Sequence, residues 1–145
     1  MSEQANVAAP ATAADIMRPA LTTVDQNDHI AAAAYLMKHA GTTALMVLDA
    51  RTGEPAGIIT EADIAHAVAD GKDVDTTRIQ ALMTARPTVI EATTSVRDAA
   101  KVMASGRFRH LPVIDAAGRV VGMLSIRHLL RDRVGELSLD RKSVV

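Results

Sequence analysis

The sequence predicts a mixed α/β (α+β) chain in which one β-α-β-β-α unit is written twice. Two small mixed sheets should pack with helices, and pseudo-two-fold symmetry should relate the copies. Three observations carry this. Residue n set beside n+66 pairs Met17 with Met83, Val24 with Ile90, Met37 with Met103, Leu45 with Leu111 and Asp49 with Asp115. One extra residue in the first copy's turn then shifts the offset to 65, which pairs Gly57 with Gly122 and Thr60 with Ser125. Finally, each copy is about 60 residues long, marginal for a separate core, so the halves should pack together.

The elements follow in chain order. Residues 1–12 lack a strong period and should form a loose arm. A helical turn over Ala13 to Met17 stops before Pro19. Leu21 to Val24 is a short strand. Asp28 can cap a helix running to about Ala40, with Ile30, Ala33, Ala34, Met37 and Ala40 at helical spacing. Ala44 to Leu48 is a continuous apolar run of strand length, and Ala56 to Ile59 returns after a turn rich in Asp, Gly and Pro. Thr60 opens a helix to about Ala69. A polar stretch near Asp70 to Asp75 links the copies, which span residues 13–70 and 78–135 with 71–77 between them.

The second copy repeats the plan. Ile79 to Met83 is the lead-in turn and Pro87 to Ile90 the short strand. Thr94 or Ser95 caps a helix to Ser105, with Val96, Ala99, Ala100 and Met103 on one face. His110 to Ile114 and Val120 to Leu124 form a hairpin around Asp115 to Gly118. Ser125 opens the last helix, whose stripe is Ile126, Leu129, Leu130 and Val134. Residues 136–145 read as a frayed tail.

Composition excludes several classes. Tyr35 and Phe108 are the only Tyr, Phe or Trp residues, so the core is built from Ala, Val, Ile, Leu and Met. Close helix approach, or pairing of two chains, must compensate for such small side chains. A net charge of −1 gives no global pull toward nucleic acid or an anionic membrane. The absence of Cys removes disulfides, thiolate zinc sites and cysteine nucleophiles. No run of 18 apolar residues and no signal-peptide pattern are present, which predicts a cytoplasmic protein. His29, His39, His66, His110 and His128 lack metal-ligand spacing, so no metal site is expected. Neither a nucleophile elbow nor a glycine-rich phosphate loop is found, and no catalytic role is expected.

His110-Leu-Pro-Val-Ile-Asp115 before one turn, Gly57-Ile-Ile-Thr-Glu-Ala-Asp63 after the other, and the duplication of the whole unit together resemble the CBS domain pair, or Bateman module. The resemblance covers about residues 13–135. It implies a stand-alone regulatory module, without required cofactors, that binds an adenosine ligand (AMP, ADP or ATP, with S-adenosylmethionine ranked behind them) in clefts between the repeats. It also implies a homodimer formed through helices, an unidentified protein target, and no nucleic-acid or membrane partner.

The family's ligand signature, Gly, two apolar residues, Thr or Ser, two further residues and Asp, is matched in full by Gly57 to Asp63. Thr60 would sit where free backbone N–H groups favour phosphate, and Asp63 would accept from ribose hydroxyls. By matching position, Thr94, Ala99, Phe108, Arg109 and His110 of the second copy would line the same cleft, with Arg107 as a further phosphate partner. The second copy departs from the signature: Ser125 replaces Thr, and His128 stands where Asp is expected. A single site per chain, or none, is therefore expected. Each residue also has a plainer reading. Thr60, Glu61 and Asp63 suit an ordinary helix start, Arg107, Arg109 and His110 suit a solvated loop, and the methionines suit a core. The rival to the sensor is a non-catalytic protein–protein interaction dimer with vestigial clefts.

Overall fold

The computed structural model describes residues 11–19 and 22–132. Its elements are α1 (Ala13–Ile16), β1 (Thr23–Asp25), α2 (Ile30–Ala40), β2 (Ala44–Leu48), β3 (Pro55–Thr60) and α3 (Glu61–Ala69). A 3-10 turn (Ile79–Ala81) follows, then β4 (Thr84–Ala85), β5 (Ile90–Glu91), α4 (Val96–Gly106), β6 (His110–Ile114) and β7 (Val120–Ser125). Residues 126–132 form α5. The expected N-terminal arm over residues 1–10, Leu21, Val134 and the tail lie outside the described residues.

The chain divides into two compact units, one of residues 20–88 and one of residues 1–19 with 89–145. In the first unit the sheet order is β1-β2-β3-β4. β1 runs parallel to β2, because a helical crossover joins them, and β2 and β3 form the antiparallel hairpin. Val24, Ala33, Met37, Leu45, Val47, Ile59 and Ile79 make its core. In the second unit the order is β5-β6-β7, again parallel then antiparallel. Its core contains Ala13, Ile90, Ala99, Met103, Leu111, Val113, Leu124 and Leu129.

These units do not follow the sequence repeats at their edges. The lead-in of the first copy, residues 13–18, packs with the second copy's sheet. Arg18 and Met123 exchange backbone hydrogen bonds at 2.9 and 3.0 Å, and Ala13 N–H reaches the Thr94 carbonyl at 2.7 Å. The lead-in of the second copy lies in the first unit, where β4 pairs with β3 through Gly57↔Ala85 and Ile58↔Thr84. β4 carries no apolar pattern, as both its residues are exposed, and the sequence analysis missed it.

The glycine in each copy's signature is explained by this exchange. A Cβ on Gly57 would stand 2.5 Å from the Thr84 carbonyl oxygen. One on Gly122 would overlap the Met17 side chain and approach the Arg18 carbonyl oxygen to 2.9 Å. Real Cβ atoms do not approach backbone this closely, so the glycines admit the crossing segments.

Local differences from expectation have physical causes. Asp28 does not cap α2; the N-cap is His29, with no side-chain bond. The first free N–H groups go instead to chain carbonyls, Ile30 to Thr77 at 3.0 Å and Ala31 to Val74 at 2.9 Å, while the Asp28 carbonyl accepts from Ile79 at 2.8 Å. Thr12, assigned to the arm, is the N-cap of α1 and closes a capping box with Asp15. Of the expected strand Pro87 to Ile90 only Ile90 belongs to β5, which ends at Glu91. Leu130, expected on a buried stripe, is 57% exposed.

Candidate functional site

Thr60 ends β3 and is the N-cap of α3. Its Oγ1 accepts from Asp63 N–H at 3.2 Å, and Asp63 Oδ2 accepts from Thr60 N–H at 2.8 Å. This is a reciprocal capping box, built from Asp at the third helical position. The next N–H, on Glu61, goes to the Thr43 carbonyl at 2.9 Å. Both side chains are half-buried. Asp63 therefore has one oxygen engaged in the cap, while its Oδ1 makes no hydrogen bond among the described residues. A carboxylate offers about four lone-pair sites, so Asp63 can hold its cap and still accept from a pair of hydroxyls.

The second repeat builds the same box from different chemistry. Ser125, buried at the end of β7, donates its N–H to Nδ1 of His128 at 3.0 Å. Its Oγ lies 3.2 Å from the same nitrogen and 3.4 Å from the His128 N–H. Because Nδ1 accepts, the ring proton resides on Nε2. Burial is the first cause that holds the imidazole below its ordinary value, and the positive charges of Arg131, Arg18 and Arg127 act in the same direction. A neutral His128 thus replaces the carboxylate in the cap without replacing its charge.

The other predicted residues of the second copy fall in different settings. Thr94 is half-buried, with its N–H on the Glu91 carbonyl and its own carbonyl taken by Ala13. Ser95, not Thr94, caps α4, accepting from Asp98 N–H at 3.0 Å. Ala99 is fully buried in the core. Arg107 ends α4 in the left-handed region at φ 57°, and the Phe108 ring lies against Gly106. The Arg109 carbonyl accepts from Ile126 N–H at 2.8 Å, while half-buried His110 faces Ser125 across the β6–β7 pair. Phe108 and Arg109 line a groove of about 920 Å³ between α4 and α5, where Val96, Ala100, Met103 and Leu129 supply apolar surface. Thr94, Ala99 and His110 are not part of its lining.

The aspartates before each turn are structural. Asp49 Oδ1 accepts from Arg51 N–H at 2.9 Å, and Asp115 Oδ1 accepts from Arg119 and Ala117 N–H groups at 2.9 Å. These backbone bonds, Arg51 first for Asp49 and Arg119 first for Asp115, hold both carboxyls below their ordinary values. No group of three or more His, Asp or Glu among the described residues could hold a metal.

A family model of the CBS domain matches residues 13–70 and again 79–135. An uncharacterized 17.7 kDa protein of Acidianus ambivalens is 39% identical over 108 residues, 74% of this chain and 64% of that one. Protein MK0525 of Methanopyrus kandleri is 29% identical over 99 residues, 68% of this chain and 50% of its own. The chain thus spans between half and two-thirds of the length of these relatives. Among solved structures, the CBS domain pair of protein MJ0100, in complex with 5′-methylthioadenosine and S-adenosyl-L-methionine, is similar at 27% identity. Its TM-score is 0.80, covering 88% of this chain and 99% of that one. CBSX2 in complex with AMP is similar at 25% identity and a TM-score of 0.69, covering 86% and 97%.

Proposed function

The chain belongs to the CBS domain family, and on that premise we propose that it is a regulatory, non-catalytic module that binds an adenosine nucleotide and answers it with a change of conformation. The observation that carries this is the Thr60–Asp63 junction: a strand-to-helix turn whose aspartate keeps an oxygen available beyond its cap. Solved relatives holding AMP, or methylthioadenosine and S-adenosylmethionine, support an adenosine ligand. In this reading Asp63 accepts from the ribose and Thr60 lies toward phosphate. Thr94, Phe108, Arg109 and His110 are the candidates from the second copy, and Ala99, fully buried in the core, contributes through packing. AMP, ADP and ATP are the first ligands to test, with S-adenosylmethionine next. A ligand that binds two conformations unequally shifts their populations by that difference, which is all a regulatory module needs.

A second reading, an interaction dimer with vestigial sites, is favoured by one observation: His128 fills the second signature position and is engaged in its own cap. In both readings we propose that the chain is a cytoplasmic homodimer acting on a protein target. No helix among the described residues is long and apolar enough to cross a membrane.

Calorimetric titration with AMP, ADP, ATP and S-adenosylmethionine tests the sensor. Asp63→His is the informative control, because the second repeat already closes the same cap with His. It should keep the fold and weaken binding by about 1.5–3 kcal/mol, the scale of a hydrogen bond to a charged group. Unchanged affinity in Asp63→His would remove Asp63 from the site, and flat titrations of the parent would favour the interaction dimer.

A further inference from the structure

Duplication supplies an internal comparison for the groove of about 920 Å³ between α4 and α5. Its apolar floor is common to both copies. Val96, Ala100, Met103 and Leu129 line it, and the matching positions of the first copy hold Ile30, Ala34, Met37 and Ile64. Its cations are not shared. Arg97, Lys101, Arg107 and Arg109 line the groove, whereas the first copy has Ala31, Tyr35, Gly41 and Thr43 at those positions. Both copies build the same hairpin and the same pair of helices, so the fold itself does not require these four positive charges.

Arg107 makes the point most directly. It ends α4 in the left-handed region at φ 57°, where Gly41 ends α2 at φ 66°. Glycine enters that region without steric cost, whereas an arginine there is strained. Such strain is kept where a side chain has a task. Of the four cations, only Lys101 has an ion-pair partner among the described residues, Asp98 at 4.0 Å, and both of those side chains are largely exposed. Asp132 is the single acid in the lining, and Leu130 lines the groove while 57% exposed. An apolar trough with a few convergent charged groups is the usual form of a small-molecule site.

We infer that this groove binds a single-chain fatty acid anion, with its acyl chain over Val96, Ala100, Met103 and Leu129 and its carboxylate at the cationic rim. The stems of Arg and Lys can lie along the apolar floor while their heads stay in water, and a guanidinium can meet a carboxylate at two points. A nucleotide would bring the charge without the apolar chain. The groove is concave and the whole chain carries a net charge of −1, so one soluble carboxylate fits it better than a flat anionic surface does. The inference stands apart from the nucleotide reading, although Phe108 and Arg109 are candidates in both.

Calorimetric titration of the full chain with laurate, below its micelle-forming concentration, tests the site. Dodecanol is the uncharged probe of the same chain length. Laurate should bind saturably and about tenfold more tightly than dodecanol, because only laurate engages the cations. Arg97→Ala/Lys101→Ala, checked for its fold by circular dichroism, should weaken laurate about tenfold and leave dodecanol little changed. Arg107→Gly should weaken laurate about threefold while melting no lower than the parent, since glycine suits the left-handed position. Equal binding of laurate and dodecanol, or laurate binding unmoved in both variants, would overturn the fatty acid site. Displacement of laurate by AMP would overturn it in favour of the nucleotide, and co-sedimentation of the protein with phosphatidylglycerol vesicles would overturn it in favour of a membrane. Laurate affinity that falls as protein concentration rises would give the groove to a second copy. Flat laurate titrations beside intact AMP binding would overturn this inference alone and leave the nucleotide reading standing.

Discussion

Ser125 donates its backbone N–H to Nδ1 of His128 at 3.0 Å, the bond that Thr60 donates to the Asp63 carboxylate at 2.8 Å in the first repeat. The second cap therefore depends on an unprotonated imidazole. The folded state holds His128 below its ordinary value of 6.5, so the unfolded chain binds this proton more readily. The stabilisation is complete above pH 6.5 and is lost as pH falls through the folded value. Thermal denaturation should show the melting temperature declining as the pH drops below 6.5. In His128→Asn, whose amide oxygen can accept the same bond without titrating, that part of the decline should flatten. An unchanged profile in the variant would separate His128 from the acid sensitivity. Asp49 and Asp115 act lower: their contributions are present above the ordinary value of 3.8 and vanish as pH falls through their depressed values.

Asp63 has a structural duty that must be separated from any ligand role. Asp63→Ala removes the side chain that holds the Thr60 N–H, and should cost about 0.5–2 kcal/mol, the range for losing a helix cap. Asp63→His should cost much less, since the second repeat shows His closing such a box. Urea unfolding of the two variants side by side checks this, and equal losses would mean that the first cap does not accept the substitution.

Gly57→Ala should be among the costliest single-methyl additions in the chain, by about 1–3 kcal/mol, because the new Cβ meets a backbone carbonyl that cannot swing away. Gly122→Ala should cost less, since its nearest obstacle is the flexible Met17 side chain, although the Arg18 carbonyl lies close behind. Chemical denaturation that ranked Gly122→Ala as the worse would show that the N-terminal crossing is the more rigid one.

At the start of α4, Ser95→Ala should lose about 1 kcal/mol, whereas Thr94→Ala should lose little, because only the Ser95 hydroxyl accepts from the helix. Equal effects in unfolding titrations would argue that the two hydroxyls share the cap.

Much of the fold was legible in the sequence because duplication supplied each element twice. Apolar runs such as Ala44–Leu48 and His110–Ile114 are short, continuous and bounded by turn residues, so their type followed from local pattern. The Thr60 cap was legible for the same reason, as its partner lies three residues away. What could not be read was settled at long range. Thr84–Ala85 is exposed and polar on one side, and becomes a strand only because β3 offers an edge to pair with. Asp28 has the right chemistry for a cap, but the carbonyls of Val74 and Thr77 reach the α2 N–H groups first. His128 reads as a lost carboxylate, and only the distance to Ser125 N–H shows that it took over half of that carboxylate's work. The signature glycines read as part of a ligand motif, whereas the segments that cross them account for their presence.

The exchanged lead-ins bear on how the chain acquires its structure during synthesis. The unit of residues 20–88 is contiguous and becomes complete once β4 has left the ribosome. The other unit needs both ends of the described chain, since residues 13–18 bond to Thr94 and Met123. Residues 13–18 must therefore wait for Thr94 and Met123, closing a loop of roughly a hundred residues, and loop closure over that span slows assembly. Translation should finish the unit of residues 20–88 while the turn of residues 13–17 is still uncovered, an interval in which a chaperone or a neighbouring nascent chain has access to Met17 before Gly122 exists to receive it.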